Sequence, residues 1–256
     1  MTADDRQVAA RLLACLDLTS LNDDDTPDRI DALCARALGT SLGAQPAAVC
    51  VFPRFVRQAV DRLSGSAVAV ATVVNFPHGG THWDAVIGET RKALADGADE
   101  IDFVIPWRGV LSRDTMVVKD LTEAVVGESH GRANPAIVKA IIETGALEDH
   151  HSITIGSNMV MDAGVDFIKT STGKAAPGAT MEAVESILQA VVQHRRATGR
   201  TVGVKVSGGV RTIADAAAYL ALADRYLDPE SANPSNFRIG ASALYDELVA
   251  VLGGNP

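Results

Sequence analysis

Short apolar runs rich in β-branched residues alternate along the whole chain with amphipathic stretches of helical period. The runs predict strands near residues 13–19 (LACLDLT), 47–53 (AAVCVFP), 68–76 (VAVATVVNF) and 100–106 (EIDFVIP). Four more follow near 136–143 (AIVKAIIE), 166–171 (DFIKTS), 202–207 (VGVKVS) and 237–240 (FRIG). Helical patterns fall between them, as at 81–96, 180–197 and 212–224. Thr180 with Glu182, and Thr212 with Asp215 at capping-box spacing, suit helix starts. Strands separated by helices form a parallel sheet, because a parallel pair needs a long crossover. Eight such units at this length favour a closed α/β barrel, the (β/α)8 TIM barrel, over an open doubly wound sheet. No Pro/Ser-rich linker or shift of composition divides the chain, so residues 1–256 read as one barrel and one catalytic domain. In that architecture the chemistry belongs at the C-terminal strand ends and the loops after them.

Composition narrows the function. With 47% hydrophobic and 21% charged residues, the chain is not a disordered one. A net charge of −9 argues against nucleic acid as a partner, which would call for a basic patch. It leaves a small anionic substrate open, since a few local donors outweigh distant surface charge. The opening MTADDRQVAA lacks the basic and apolar regions of a signal peptide, and no apolar run reaches the roughly 18 residues of a membrane span. Cys15, Cys34 and Cys50, without CxxC spacing, read as reduced thiols of a cytoplasmic protein.

The cations carry more information. Only six of the 23 basic residues are lysines, so this protein solvates its surface with arginine. A lysine within an apolar strand therefore needs a reason, and chemistry closed to arginine is one. Lys169 stands at the end of the sixth predicted strand, on one face with Phe167 and Ser171, just before a Ser/Thr/Gly loop. It reads either as a lysine reaching the barrel mouth or as a nucleophilic amine. Lys205, on the seventh strand, shares its face with Gly203, which leaves room for a long side chain. Two ammonium groups ~5 Å apart at an effective dielectric of ~20 repel by about 3 kcal/mol, or roughly 2 pKa units. With desolvation helping, that shift raises the neutral, nucleophilic form a few hundredfold.

Asp102 lies within an apolar run, alternating against Ile101 and Phe103, and should point into the barrel. A buried carboxylate needs a cation, which Lys205 or Lys139 can supply. If Asp102 lies nearer Lys205, it keeps that lysine charged while Lys169 stays neutral. Separately, Gly208-Gly209 follows the seventh strand and Gly240-Ala241-Ser242 the eighth, the usual phosphate-binding loops of a barrel, with Gly173-Lys174 closing the other side. His78 and His82 straddle a loop and helix start and read as non-metal residues. His150-His151 reads as a solvated loop, and the glycines of GTSLG and GGTH do not match a nucleotide-binding loop. Cys50 either lines the pocket or packs as a small apolar group.

These segments resemble the deoxyribose-phosphate aldolases, a family of class I, Schiff-base-forming aldolases. The resemblance rests on LDLTSLNDDDT (16–26), AAVCVFPRF (47–55), ATVVNFPHG (71–79), GADEIDFVIP (97–106), VKAIIETG (138–145), DFIKTSTGK (166–174), GVKVSGGVRT (203–212) and RIGASAL (238–244). It implies reversible cleavage of 2-deoxy-D-ribose 5-phosphate to D-glyceraldehyde 3-phosphate and acetaldehyde, in deoxynucleoside breakdown, without metal or other cofactor. It implies Lys169 as the Schiff-base nucleophile, Lys205 as the neighbour that depresses its pKa, and Asp102 as a proton relay acting through water. Asp17, Cys50 and Thr170 match the family's pocket contacts. Gly173, Lys174, Gly208, Gly209, Gly240 and Ser242 match its phosphate site. The partners expected are small phosphorylated sugars and aldehydes, without nucleic acid or membrane, in a homo-oligomer taken as a dimer. Three departures stand out: Val206 in place of a common proline, Ala243 in place of a second serine, and no tyrosine-bearing tail after Leu252. Other imine-forming barrels with a ketose donor, a metabolite-binding barrel without activity, and a metal-dependent aldolase are the competing readings.

Overall fold

The structure, a computed structural model, describes residues 3–39, 44–227 and 231–253. Its core is a closed barrel of eight parallel strands in sequence order. They are β1 (Leu16–Ser20), β2 (Ala48–Val51), β3 (Ala69–Val74), β4 (Glu100–Val104), β5 (Ile137–Ile141), β6 (Phe167–Lys169), β7 (Gly203–Ser207) and β8 (Phe237–Ala241). Each pairs with the next, and β8 closes on β1 with Asp17 opposite Gly240. The (β/α)8 TIM barrel expected from the alternating pattern is therefore the fold observed.

The two faces of each strand explain why the ring closes. Outward residues such as Leu16, Leu18, Val49, Val51, Ile101, Phe103, Val204, Val206, Phe237 and Ile239 join one apolar layer beneath the surrounding helices. Each such side chain stabilises by about 1.5–3 kcal/mol when fully buried. Inward positions divide by sector. Ala48 and Cys50 of β2, with Ala71 and Val73 of β3, form a small apolar wall beneath Leu21. The remaining strands send charged side chains inward: Asp17, Glu100, Asp102, Lys139, Lys169, Lys205 and Arg238, all buried. That sector holds the chemistry.

Local signals were mostly sound, with three corrections. Thr180 caps helix Met181–Thr198, its hydroxyl accepting from the Ala183 amide at 3.1 Å. Thr212 and Asp215 exchange amide bonds of 3.1 and 3.2 Å at the start of helix Ile213–Leu227, a capping box with Asp in the glutamate position. The first strand begins at Leu16, because residues 13–14 finish the amphipathic helix Ala3–Ala14. The sixth strand ends at Lys169, shorter than expected, although Thr170 N still donates to Lys205 O on β7. His150 and His151 are exposed but belong to the first turn of helix His150–Asp162, capped by Asp149, rather than to a loop. GTSLG falls almost wholly outside the described residues, as do Gly254 to Pro256 of the tail. Among the described residues no helix is long and apolar enough to cross a membrane.

Candidate active site

Strand register assembles the charged cluster. Lys169 on β6 lies directly beside Lys205 on β7, and Asp102 on β4 beside Lys139 on β5. Asp102 Oδ2 accepts from both Lys169 Nζ and Lys205 Nζ at 2.7 Å, while its Oδ1 accepts from Lys139 Nζ at 2.8 Å. Two ammonium nitrogens on one oxygen are no farther apart than twice that 2.7 Å contact. Below this layer, Lys205 also donates to Asp17, and Lys139 to Glu100. Arg238 closes the network, reaching Asp17 Oδ1 at 2.7 Å and Glu100 Oε1 at 2.9 Å.

Counting the groups decides which amine is odd. Three carboxylates (Asp17, Glu100, Asp102) face four cations (Lys139, Lys169, Lys205, Arg238). Lys139 contacts three of the carboxylates, while Lys205 and Arg238 contact two each. Lys169 has Asp102 alone, and shares it. A buried cluster is most stable when neutral, so one cation must give up its proton, and Lys169 has least to hold it. Burial, reinforced by Lys205, lowers the Lys169 pKa even though Asp102 opposes the shift. Burial also disfavours the charge on Lys205, but Asp102 and Asp17 outweigh it and raise that lysine above the usual range. Asp102 itself is buried, yet Lys139, Lys169 and Lys205 hold it well below the usual carboxylate range.

Three expectations are corrected here. Asp102 is not nearer Lys205; it touches both lysines equally, and Asp17 is the group that separates their charge states. Desolvation, more than repulsion between the two amines, lowers Lys169. Nor does Gly203 make room for Lys205: a Cβ there would lie 2.3 Å from the Phe167 ring. The room comes from Gly240, where a Cβ would sit 3.1 Å from Lys205 Cε.

Above the cluster, at the C-terminal strand ends, a cavity of about 470 Å³ opens to solvent with Lys169 in its lining. Gly173, Lys174, Gly208, Gly209, Gly240 and Ser242 all border it. Gly208 is needed twice over, for its positive φ of 86° and for backbone packing, since a Cβ would lie 3.1 Å from Gly178 Cα. Arg211, which the sequence reading passed over, borders the same cavity. Among the described residues neither Arg211 nor Lys174 has an ion-pair partner, and the Lys174 ammonium lies 6.0 Å from the centre of the Phe52 ring, so two cations at the cavity mouth have no carboxylate to neutralise them. Its only sequence signal was a place two residues beyond the Gly208-Gly209 pair. Ala243 is also in the wall, at the start of helix Leu244–Leu252, with no hydroxyl to offer.

Asp102 and Lys205 lie beneath the cavity instead of lining it, and three expected pocket residues stand apart from it. Asp17 is fully buried in the charge network. Cys50 packs in the apolar wall of β2 and β3, and burial raises its thiol pKa. Thr170 turns its hydroxyl to β7, donating to Ser207 O and accepting from Ser207 N, each at 3.0 Å. Sequence reasoning also missed Glu143, a buried residue that accepts from Thr172 N and from Thr172 Oγ1 at 2.7 Å, and so shapes the loop carrying Lys174. His78 and His82 are exposed, and among the described residues no three His, Cys, Asp or Glu groups converge as a metal donor set.

Comparison with known proteins gives a consistent result. The family described as DeoC/LacD family aldolase matches residues 11–245. A deoxyribose-phosphate aldolase of Agrobacterium fabrum (strain C58 / ATCC 33970) is 44% identical over 253 residues, covering 98% of this chain and 94% of that protein. A Toxoplasma gondii ME49 protein, provisionally assigned as a deoxyribose-phosphate aldolase, superimposes with a TM-score of 0.84 at 28% identity, covering 98% of each chain. The tetrameric deoxyribose phosphate aldolase of Aeropyrum pernix shares the fold, with a TM-score of 0.73 at 23% identity over 98% of this chain and 97% of that one.

Proposed function

Since the chain belongs to the DeoC/LacD family of aldolases, we propose that it cleaves 2-deoxy-D-ribose 5-phosphate reversibly to D-glyceraldehyde 3-phosphate and acetaldehyde through a Schiff base on Lys169. The observation that carries this reading is the single odd amine of a buried charge cluster, opening into a cavity edged by glycines and unpaired cations.

The steps follow from that arrangement. Neutral Lys169 Nζ attacks the aldehyde carbon of the open-chain sugar, and the carbinolamine loses water to give an iminium. A base removes the proton of the C3 hydroxyl as the C2–C3 bond breaks. Its electron pair enters the C1–C2 bond and neutralises the iminium as an enamine, so no bare carbanion forms. D-glyceraldehyde 3-phosphate leaves; protonation of the enamine at C2 and hydrolysis then release acetaldehyde and restore the amine. Positioned proton transfer of this kind contributes about 10²–10⁴-fold. The cations around Asp102 make it a weak store of protons. It serves better as a relay acting through water, passing a proton between a cavity water and the substrate hydroxyl without holding it. Lys205 stays charged and supplies the repulsion that favours neutral Lys169. Lys174, Arg211, Ser242 and the amides around Gly208 and Gly209 are the proposed phosphate donors. Deoxynucleoside breakdown is the proposed setting.

Borohydride reduction with acetaldehyde, followed by peptide mapping, tests the nucleophile. A two-carbon adduct on Lys169 supports the reading, and an adduct confined to any other lysine refutes it. Release of acetaldehyde from the phosphorylated sugar tests the substrate.

A further inference from the structure

We propose that Arg238 and Glu100, near the N-terminal ends of their strands and out of reach of the cavity, are positioning residues that fix the protonation of Lys169 by setting the net charge of the buried cluster. Neither borders the cavity that holds Lys169, and neither contacts Lys169. Arg238 is tied to Lys169 through Asp17, Lys205 and Asp102, and Glu100 through Lys139 and Asp102. The inference rests on Lys169 being the imine-forming amine, and it adds the groups that determine when that amine is free.

The case is one of charge parity. With Lys169 neutral, three carboxylates balance Lys139, Lys205 and Arg238. Without Arg238, the same carboxylates face two fixed cations, and Lys169 becomes the third by keeping its proton. Without Glu100, two carboxylates face three fixed cations, and a proton on Lys169 is less welcome than before. Removal of both groups restores parity. The other charged or titratable groups toward Lys169 do not break this balance. β2 offers only the Cys50 thiol, whose pKa burial raises; β3 offers Ala71 and Val73; Glu143, after β5, is engaged by Thr172 N and Oγ1 and contacts no member of the cluster; and Lys174 and Arg211 sit at the open mouth, where solvent screens them. Arg238 is itself held above its usual range, since Asp17 and Glu100 outweigh the cost of burying it, so it is a fixed charge at all working pH values. It suits that part better than lysine, because one planar guanidinium satisfies two carboxylates from different strands.

The experiment measures the pH at which acetaldehyde trapping on Lys169 by borohydride is half-maximal, in the wild-type chain, Arg238→Met, Glu100→Gln and the double variant. A unit charge on the order of 10 Å away, at an effective dielectric of ~20, shifts that midpoint by about one pH unit. Arg238→Met should move it up, Glu100→Gln should move it down, and the double variant should return it toward the wild-type value. Loss of structure alone lowers the extent of trapping but cannot drive the midpoint in opposite directions. If Arg238→Met does not fold, Glu100→Gln still decides by a downward shift. Unmoved midpoints, or shifts of the same sign in both single variants, overturn the proposal. A wild-type chain that does not trap on Lys169 would instead overturn the imine reading.

Discussion

Replacing Lys205 by methionine keeps most of the side-chain volume and removes one fixed cation next to Lys169. Both nitrogens lie on Asp102 Oδ2 at 2.7 Å, which limits their separation to about 5 Å. At an effective dielectric of ~20 the repulsion lost is about 3 kcal/mol, equivalent to about two pH units. The sign is upward: Lys169 gains a proton that it previously shed, and its neutral fraction at pH 7 falls about a hundredfold. The remaining contacts allow folding, since Asp17 keeps Arg238 and Lys139, and Asp102 keeps Lys139 and Lys169. Far-UV circular dichroism checks this. The assay is kcat/KM for cleavage of 2-deoxy-D-ribose 5-phosphate across pH 6–10. The expected deficit is up to about a hundredfold at pH 7 and narrows as pH rises and the amine deprotonates. A deficit constant across that range would refute the electrostatic argument, because a merely misplaced amine loses activity at every pH.

Other consequences are open to test. Asp102→Asn should slow proton exchange at the methyl carbon of acetaldehyde more than it weakens phosphate binding, and equal losses in both would point to a structural role. Ala243→Ser puts a hydroxyl in the cavity wall and should lower KM for the phosphorylated sugar severalfold with little change for unphosphorylated aldehydes. Thr170→Val leaves Ser207 N and O without their partner and should cost about 1–3 kcal/mol in denaturant unfolding, with activity per folded molecule largely kept. Asp17→Asn breaks a buried ion network and should cost about 3–5 kcal/mol at neutral pH. The cations hold the wild-type Asp17 below its unfolded value, so its contribution is complete above about pH 4 and declines as pH falls through the folded pKa. The stability gap between wild type and Asp17→Asn should therefore shrink in acid.

The parts of the site that follow strand alternation were legible without coordinates. Asp102, Lys169 and Lys205 each interrupt an apolar run at an inward position, and an arginine-rich surface made the lysines conspicuous. Glu100 and Arg238 obey the same alternation, two residues before Asp102 and Gly240, but nothing in the chain distinguishes an arginine turned inward when most cations are arginine. The contacts of Asp17 with Lys205 and Arg238 span 188 and 221 positions and exist only because the barrel closes. Gly203 was misread for a similar reason: a strand shows which residues share a face, but the neighbour that fills the space, here Phe167, comes from the adjacent strand. The pocket contact expected of Thr170 rested on the resemblance and not on alternation, which sets it on the face opposite Lys169 and Ser171.

Six lysines are few enough for their side-chain ammonium groups to be followed singly by heteronuclear NMR of lysine-labelled protein. The decisive measurement is the titration of those signals, with Lys169→Arg identifying the amine of interest. One signal that deprotonates below the ordinary value of about 10.4, and disappears in that variant, is the predicted result. A Lys169 ammonium that holds its proton up to that value or beyond would contradict the account.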